Sequence, residues 1–141
     1  MISDYARVLL KIEIWREMRG VPAAWKAVAH VNLNRALHPS WWGTTLVQVI
    51  THKWQFSSMT ATGDPNLTQW PQEDATWLEI GKAVDDVLDA GEPDPTDGAI
   101  DYFSAPITSP PTSWGQVEET LVVGSVHFFR QLPPASLPST G

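Results

Sequence analysis

The residues best placed to do chemistry lie in the run Trp15-Arg16-Glu17-Met18-Arg19-Gly20-Val21-Pro22. It sets one carboxyl group just before a glycine and a proline. Upstream, Val8, Leu9, Ile12 and Trp15 recur at helical spacing, which predicts an amphipathic first helix. Gly20 can take the left-handed conformation that closes such a helix, and Pro22 suits the first turn of the next. Glu17 then falls in the last turn, where the helix dipole disfavours an anion. Apolar neighbours such as Trp15 and Met18 disfavour ionisation further. A carboxyl group that keeps its proton toward neutrality can serve as a general acid. The competing reading is a solvated Glu17 whose flanking Arg16 and Arg19 lower its pKa.

Other chemistries are poorly provided for. The four histidines, His30, His38, His52 and His127, are too far apart in sequence for a helical zinc pair, so no metal is expected. There is no cysteine, hence no thiol nucleophile and no disulfide framework. No serine stands in a nucleophile elbow. Carboxylates remain, and no cofactor is called for. Glycoside hydrolysis usually employs two carboxyl groups, one protonated and one ionised. Candidates for the second are Glu13, Asp64 and Asp101. Glu13 precedes Glu17 by one turn and is expected at the surface, paired with Lys11 or Arg16. Asp64, before Pro65, is expected to cap its own turn. Asp101 flanks Tyr102, which offers a ring for stacking and a phenol for hydrogen bonding. Gln55 and Ser57 offer an amide and a hydroxyl in a long loop, with local turn bonding as the alternative for Ser57. Arg35, at a helix terminus, reads as dipole compensation.

These groups must be positioned by a chain of 141 residues, enough for one domain with a real core. Hydrophobic residues make up 43% and charged ones 18%, a globular balance. The formal charge of −7, with no Lys/Arg cluster, argues against nucleic acid as a partner. It also argues against a polybasic anchor on anionic lipid. No apolar run approaches membrane-spanning length, and residues 1–4 lack the pattern of a secretory signal. Eight tryptophans are many for this size, and most are assigned to packing, since aromatic bodies fill cores as readily as they stack on sugars.

The elements follow from periodicity and punctuation. Helices are predicted over Asp4–Arg19 and Pro22–Ala36, the second burying Trp25, Val28 and Val31, with His38-Pro39 ending it. Thr44 or Thr45 caps a short helix through Ile50. The stretch Thr51–Gln69 is irregular, and its length suggests function. Trp70-Pro71 opens a helix to Ala90, with Trp77, Ile80, Val84, Val87 and Leu88 inward and Gly91 closing it. Ile100–Phe103 and Thr120–Phe129 fit short strands or a last helix. Residues 132–141 are a Pro/Ser-rich tail beyond a single domain over 1–131.

In order along the chain, the sequence resembles the spore cortex-lytic (SleB-like) cell-wall hydrolase family. That family carries Glu-Ala-Arg-Gly-Glu at the end of its first helix, matched by Glu17-Met18-Arg19-Gly20-Val21. Its Leu-Asn-Arg is matched by Leu33-Asn34-Arg35, its Gln-Phe-Ser by Gln55-Phe56-Ser57, and its Gly-Ala-x-x-Tyr by Gly98-Ala99-Ile100-Asp101-Tyr102. A Gly…His…Phe ending is loosely matched by Gly124, His127 and Phe128. Val21 replaces the second Glu, Asp101 stands where an aromatic or His is frequent, and His127 is one residue out of register. The resemblance implies a predominantly helical α+β, lysozyme-like domain with a small β element. It also implies cleavage of peptidoglycan glycan strands. In lytic transglycosylases a single Glu protonates the glycosidic oxygen and then activates the muramic acid's own hydroxyl, which agrees with a lone Glu17. A water-using muramidase and a non-catalytic sugar-binding module remain alternatives. With no signal recognised, the expected setting is that of a phage endolysin. Such an enzyme waits in the host cytoplasm for holin-assisted release, or is carried in a phage tail.

Overall fold

The computed structural model describes residues 2–52 and 56–133. Helix α1 spans Asp4–Met18, and its first turn is capped by Ser3, whose hydroxyl accepts from the Ala6 N–H at 3.1 Å. Its buried stripe is Ala6, Leu10, Ile14 and Met18, with Glu13 beside it. Val8 is exposed, and Leu9 and Trp15 are only partly covered. Ile12 is buried as well, so apolar side chains lie around much of this helix and sequence spacing alone does not select its innermost stripe.

Gly20 does not adopt the left-handed conformation expected of it; Arg19 remains helical and the chain turns through a 3-10 segment, Pro22–Ala24. The Met18 carbonyl, which a left-handed cap would have to satisfy, instead accepts from the Val21 N–H and the Trp25 indole at 2.9 and 2.7 Å. Helix α2 (Trp25–Leu37) buries Trp25, Val28 and Val31 as expected. Helix α3 (Leu46–Thr51) starts at a capping box of Thr45 and Gln48.

The segment read as irregular contains a four-residue helix α4, Ser57–Thr60, and a 3-10 turn, Pro65–Thr68. Helix α5 (Ala75–Ala90) begins after Asp74, whose carboxylate accepts from the Trp77 N–H, and not at Trp70-Pro71. Ile80, Val84 and Val87 are buried, and Gly91 at φ +63° closes the helix.

The terminal segments form strands, not a last helix. Strands β1 (Asp101–Ser104), β2 (Val117–Val123) and β3 (Val126–Gln131) make an antiparallel sheet in the order β1-β3-β2. The tight β2–β3 turn places Gly124 at φ +58°, which glycine accepts without strain. In the β1–β3 register Asp101 faces Phe129 and Tyr102 faces Phe128. Leu10 and Ile14 of α1, Val28 and Val31 of α2, Ile80 and Val84 of α5 and Phe128 of β3 share one core. Among the described residues no helix is long and apolar enough to cross a membrane.

Candidate active site

A cleft of about 790 Å³ opens between the helices and the sheet, lined by Glu17 and Met18 of α1, Arg35 of α2, Trp41, Trp42, Phe56, residues 100–107 and Trp114. Glu17 reaches it from the last turn of α1, half-buried. Its carboxylate accepts from the Ser58 hydroxyl at 2.8 Å and from the Ser58 backbone N–H. Burial raises its pKa above the ordinary carboxylate range; the two Ser58 bonds pull the other way, and the Asp64 charge adds to the rise.

Arg16 and Arg19 do not neutralise Glu17, because both are committed elsewhere. Arg16 donates to the carbonyls of Ser58 (3.1 Å) and Gln69 (3.0 Å) and lies over the Trp70 ring at 4.6 Å. Arg19 lies over Trp15 at 4.3 Å and donates to Gln69 Oε1 at 2.9 Å. Arg16 therefore ties both ends of the 58–69 segment to the helix that carries Glu17. Through the Ser58 carbonyl, it fixes the residue that holds the Glu17 carboxylate.

Glu13 is not a surface residue. It is fully buried, with Asn32 Nδ2 at 3.2 Å and the Tyr102 hydroxyl at 3.4 Å from its two oxygens. The partners expected for it are taken: Lys11 pairs with Asp85 at 3.2 Å, and Arg16 grips the 58–69 segment. Burial, then the nearby Glu17 charge, push the Glu13 pKa well above its usual range, while Arg35 opposes them. Tyr102 is likewise pushed well up, first by burial and then by Glu13 and Glu17, so its phenol stays protonated.

Arg35 does more than compensate a helix dipole. It is 4% exposed, donates to the Ile100 carbonyl and to Asp101 Oδ1 (3.2 Å), and lies over Phe56 at 5.2 Å. It thus joins α2 to the edge of the sheet and occupies Asp101. Burial raises the Asp101 pKa and Arg35 opposes the rise. Asp64 caps its turn as expected, accepting from the Asn66 N–H at 2.8 Å, and its charge also reaches Glu17.

The structure thus brings Glu17, Asp101 and Tyr102 to one cleft. Gln55 lies outside the described residues, as does the Ser57 side chain, although residue 57 opens α4. Sequence reasoning missed Ser58, Arg16 and Arg35 as site residues. For Ser58 the available signal was its place beside Ser57 in the Gln-Phe-Ser loop. Among the described residues no group of three His, Asp or Glu side chains converges to hold a metal ion.

The sequence model of the cell wall hydrolase family matches residues 22–129, a span that holds Arg35, Ser58, Asp101 and Tyr102 and begins after Glu17. No curated protein matches the chain. Among solved structures, the chain resembles the catalytic domain of the germination-specific lytic transglycosylase SleB from Bacillus anthracis. The identity is 24%, the TM-score 0.68, and the overlap covers 91% of this chain and 96% of that one. The catalytic domain of the Bacillus cereus SleB protein is similar at 24% identity and TM-score 0.70, covering 92% and 93%. These likenesses cover more than nine-tenths of this chain and establish the predominantly helical α+β fold.

Proposed function

The chain belongs to the cell wall hydrolase family, and on that premise we propose that it is a lytic transglycosylase of bacterial peptidoglycan with Glu17 as its acid and base. One observation carries this reading. Of the two carboxyl groups that line the cleft among the described residues, Asp101 is tied to Arg35, whereas Glu17 is held by the donors of Ser58 and kept toward its protonated form by burial.

In the proposed reaction the protonated Glu17 gives its proton to the oxygen linking N-acetylmuramic acid to N-acetylglucosamine. The bond from that oxygen to the muramic C1 breaks, and the N-acetylglucosamine hydroxyl leaves. Ser58, donating twice, stabilises the carboxylate so formed. The carboxylate then takes the proton of the muramic C6 hydroxyl as its oxygen bonds to C1, closing an anhydro ring and restoring the acid. The substrate's N-acetyl group can stabilise the developing cation in place of a protein nucleophile. Gln55, Ser57 and Tyr102 are proposed to hold sugar and N-acetyl groups, and Asp101, fixed by Arg35, to shape the floor of the cleft.

A second reading rests on Asp64, whose charge is felt at Glu17. Asp64 activating water would make the enzyme a muramidase. A turnover assay tests the common part of both readings. Wild-type protein incubated with purified sacculi is expected to release soluble muropeptides. Protein that sediments with sacculi and releases nothing would instead be a binding module.

A further inference from the structure

Glu13 has no part in the reaction above, yet it is the group whose burial most needs a reason. Its side chain is fully enclosed, so substrate cannot reach it. It leaves α1 one turn before Glu17, and its two oxygens meet Asn32 from α2 and the Tyr102 hydroxyl from β1. Tyr102 in turn lines the cleft, its ring between those of Phe56 and Phe128 at 6.4 and 5.6 Å. Aromatic packing fixes where such a ring lies, but a hydroxyl at its end needs a polar partner. Glu13 is that partner.

We propose that Glu13 is a positioning residue of the active site, anchoring the Tyr102 hydroxyl from behind the cleft wall so that the Tyr102 side chain is held in one orientation in the wall beside Glu17. An apolar side chain would fill the same space without the cost of desolvating a carboxyl group. What it would lose is the anchor.

The charges that face Glu13 are Glu17 on its own helix, Arg35 from α2 and Tyr102 from β1, with Asp101 behind Arg35. Burial and the Glu17 charge favour a proton on Glu13, and Arg35 opposes them. A neutral Glu13 also suits the chemistry proposed for Glu17, on which this inference rests. When Glu17 releases its proton, no second negative charge stands one turn away to resist it.

The test is a double-mutant cycle of E13L and Y102F, with E13Q as the conservative variant and E13M as the second apolar one should E13L fail to fold. Loss of a fixed ring costs positioning, so E13L and Y102F should each lower kcat on sacculi by roughly 10- to 100-fold with KM little changed. The double variant should be no worse than the poorer single, because both remove one unit. E13Q should keep most of kcat and the wild-type pH profile. Apolar variants at residue 13 with wild-type kcat would overturn the proposal. So would losses that multiply in the double variant, or an E13Q as impaired as E13L with a displaced pH profile. Melting temperatures of the same proteins read the contact without turnover. Coupled shifts support the anchor and additive shifts refute it. A folded wild type that digests nothing would refute the catalytic reading while leaving coupled shifts as evidence for the anchor.

Discussion

The two halves of α1 hold their charges in opposite ways. In its first half, Arg7 reaches Asp85 and Asp89 of α5 at 2.7 Å each, and Lys11 reaches Asp85, all at the protein's edge with water close by. In its second half, Glu13, Arg16 and Glu17 turn inward and meet Asn32, Tyr102, Ser58 and the carbonyl of Gln69. Exposed pairs are well matched and cheap to form. The inward groups carry a desolvation cost, and among the described residues Arg16 Nη2 on α1 and His30 Nε2, Asn32 Oδ1 and Arg35 Nη1 on α2 are buried without a hydrogen-bond partner. A fold optimised for stability alone would not gather such groups at one end of a helix. Their concentration beside the cleft is what the role proposed for Glu17 would require of the second half of α1.

Substitutions should separate the halves sharply. E17Q removes the proposed proton donor and keeps the volume. Activity on sacculi should fall by several orders of magnitude, beyond the roughly 10²–10⁴-fold of a partial acid–base contribution, with an unchanged melting curve. R16M releases the Ser58 and Gln69 carbonyls, and kcat should drop by on the order of 10- to 100-fold through lost positioning of Ser58. Wild-type kcat in R16M would remove Arg16 from the site.

Two further variants should move the pH profile in opposite directions. Activity that needs protonated Glu17 declines as pH rises through its pKa. Ser58 lowers that pKa, so in S58A the alkaline decline should begin at higher pH; Asp64 raises it, so in D64N the decline should begin at lower pH. Asn at position 64 can still cap the 3-10 turn. Shifts of the same sign would break the assignment. In the outer half, R7A should cost about 0.2–1 kcal/mol of stability, less at high salt, and leave kcat untouched. A kinetic effect of R7A would erase the contrast between the halves.

The same contrast explains what could be read from the chain. Regular features with local causes were legible: the Thr45 cap, the buried stripe of α2, the Gly91 closure of α5 and the turn cap of Asp64. So was the place of Glu17 in the last turn of α1. The inner face of α1 was misread because Val8, Leu9, Ile12 and Trp15 made as plausible a stripe as Leu10, Ile14 and Met18. That choice put Glu13 outside. Its true partners lie 19 and 89 residues away in sequence, where no local pattern reaches. Gly20 was misread for a related reason, since the Trp25 indole takes over the carbonyl that a left-handed cap would serve. Arg35 and Arg16 act through backbone carbonyls of distant segments, and a carbonyl has no sequence signature.

The central claim is that one carboxyl group, Glu17, both donates and recovers the proton while the substrate supplies its own nucleophile. Mass spectrometry of muropeptides released from sacculi, before and after borohydride treatment, tests it most directly. Tethered attack enjoys effective molarities on the order of 10⁵–10⁸ M over a bimolecular step, so the ring should form ahead of hydrolysis. The predicted products are lighter by one water than those of a muramidase and resist reduction. Products that are mainly reducible and carry the extra water would contradict the account and make Asp64 or Asp101 part of the mechanism.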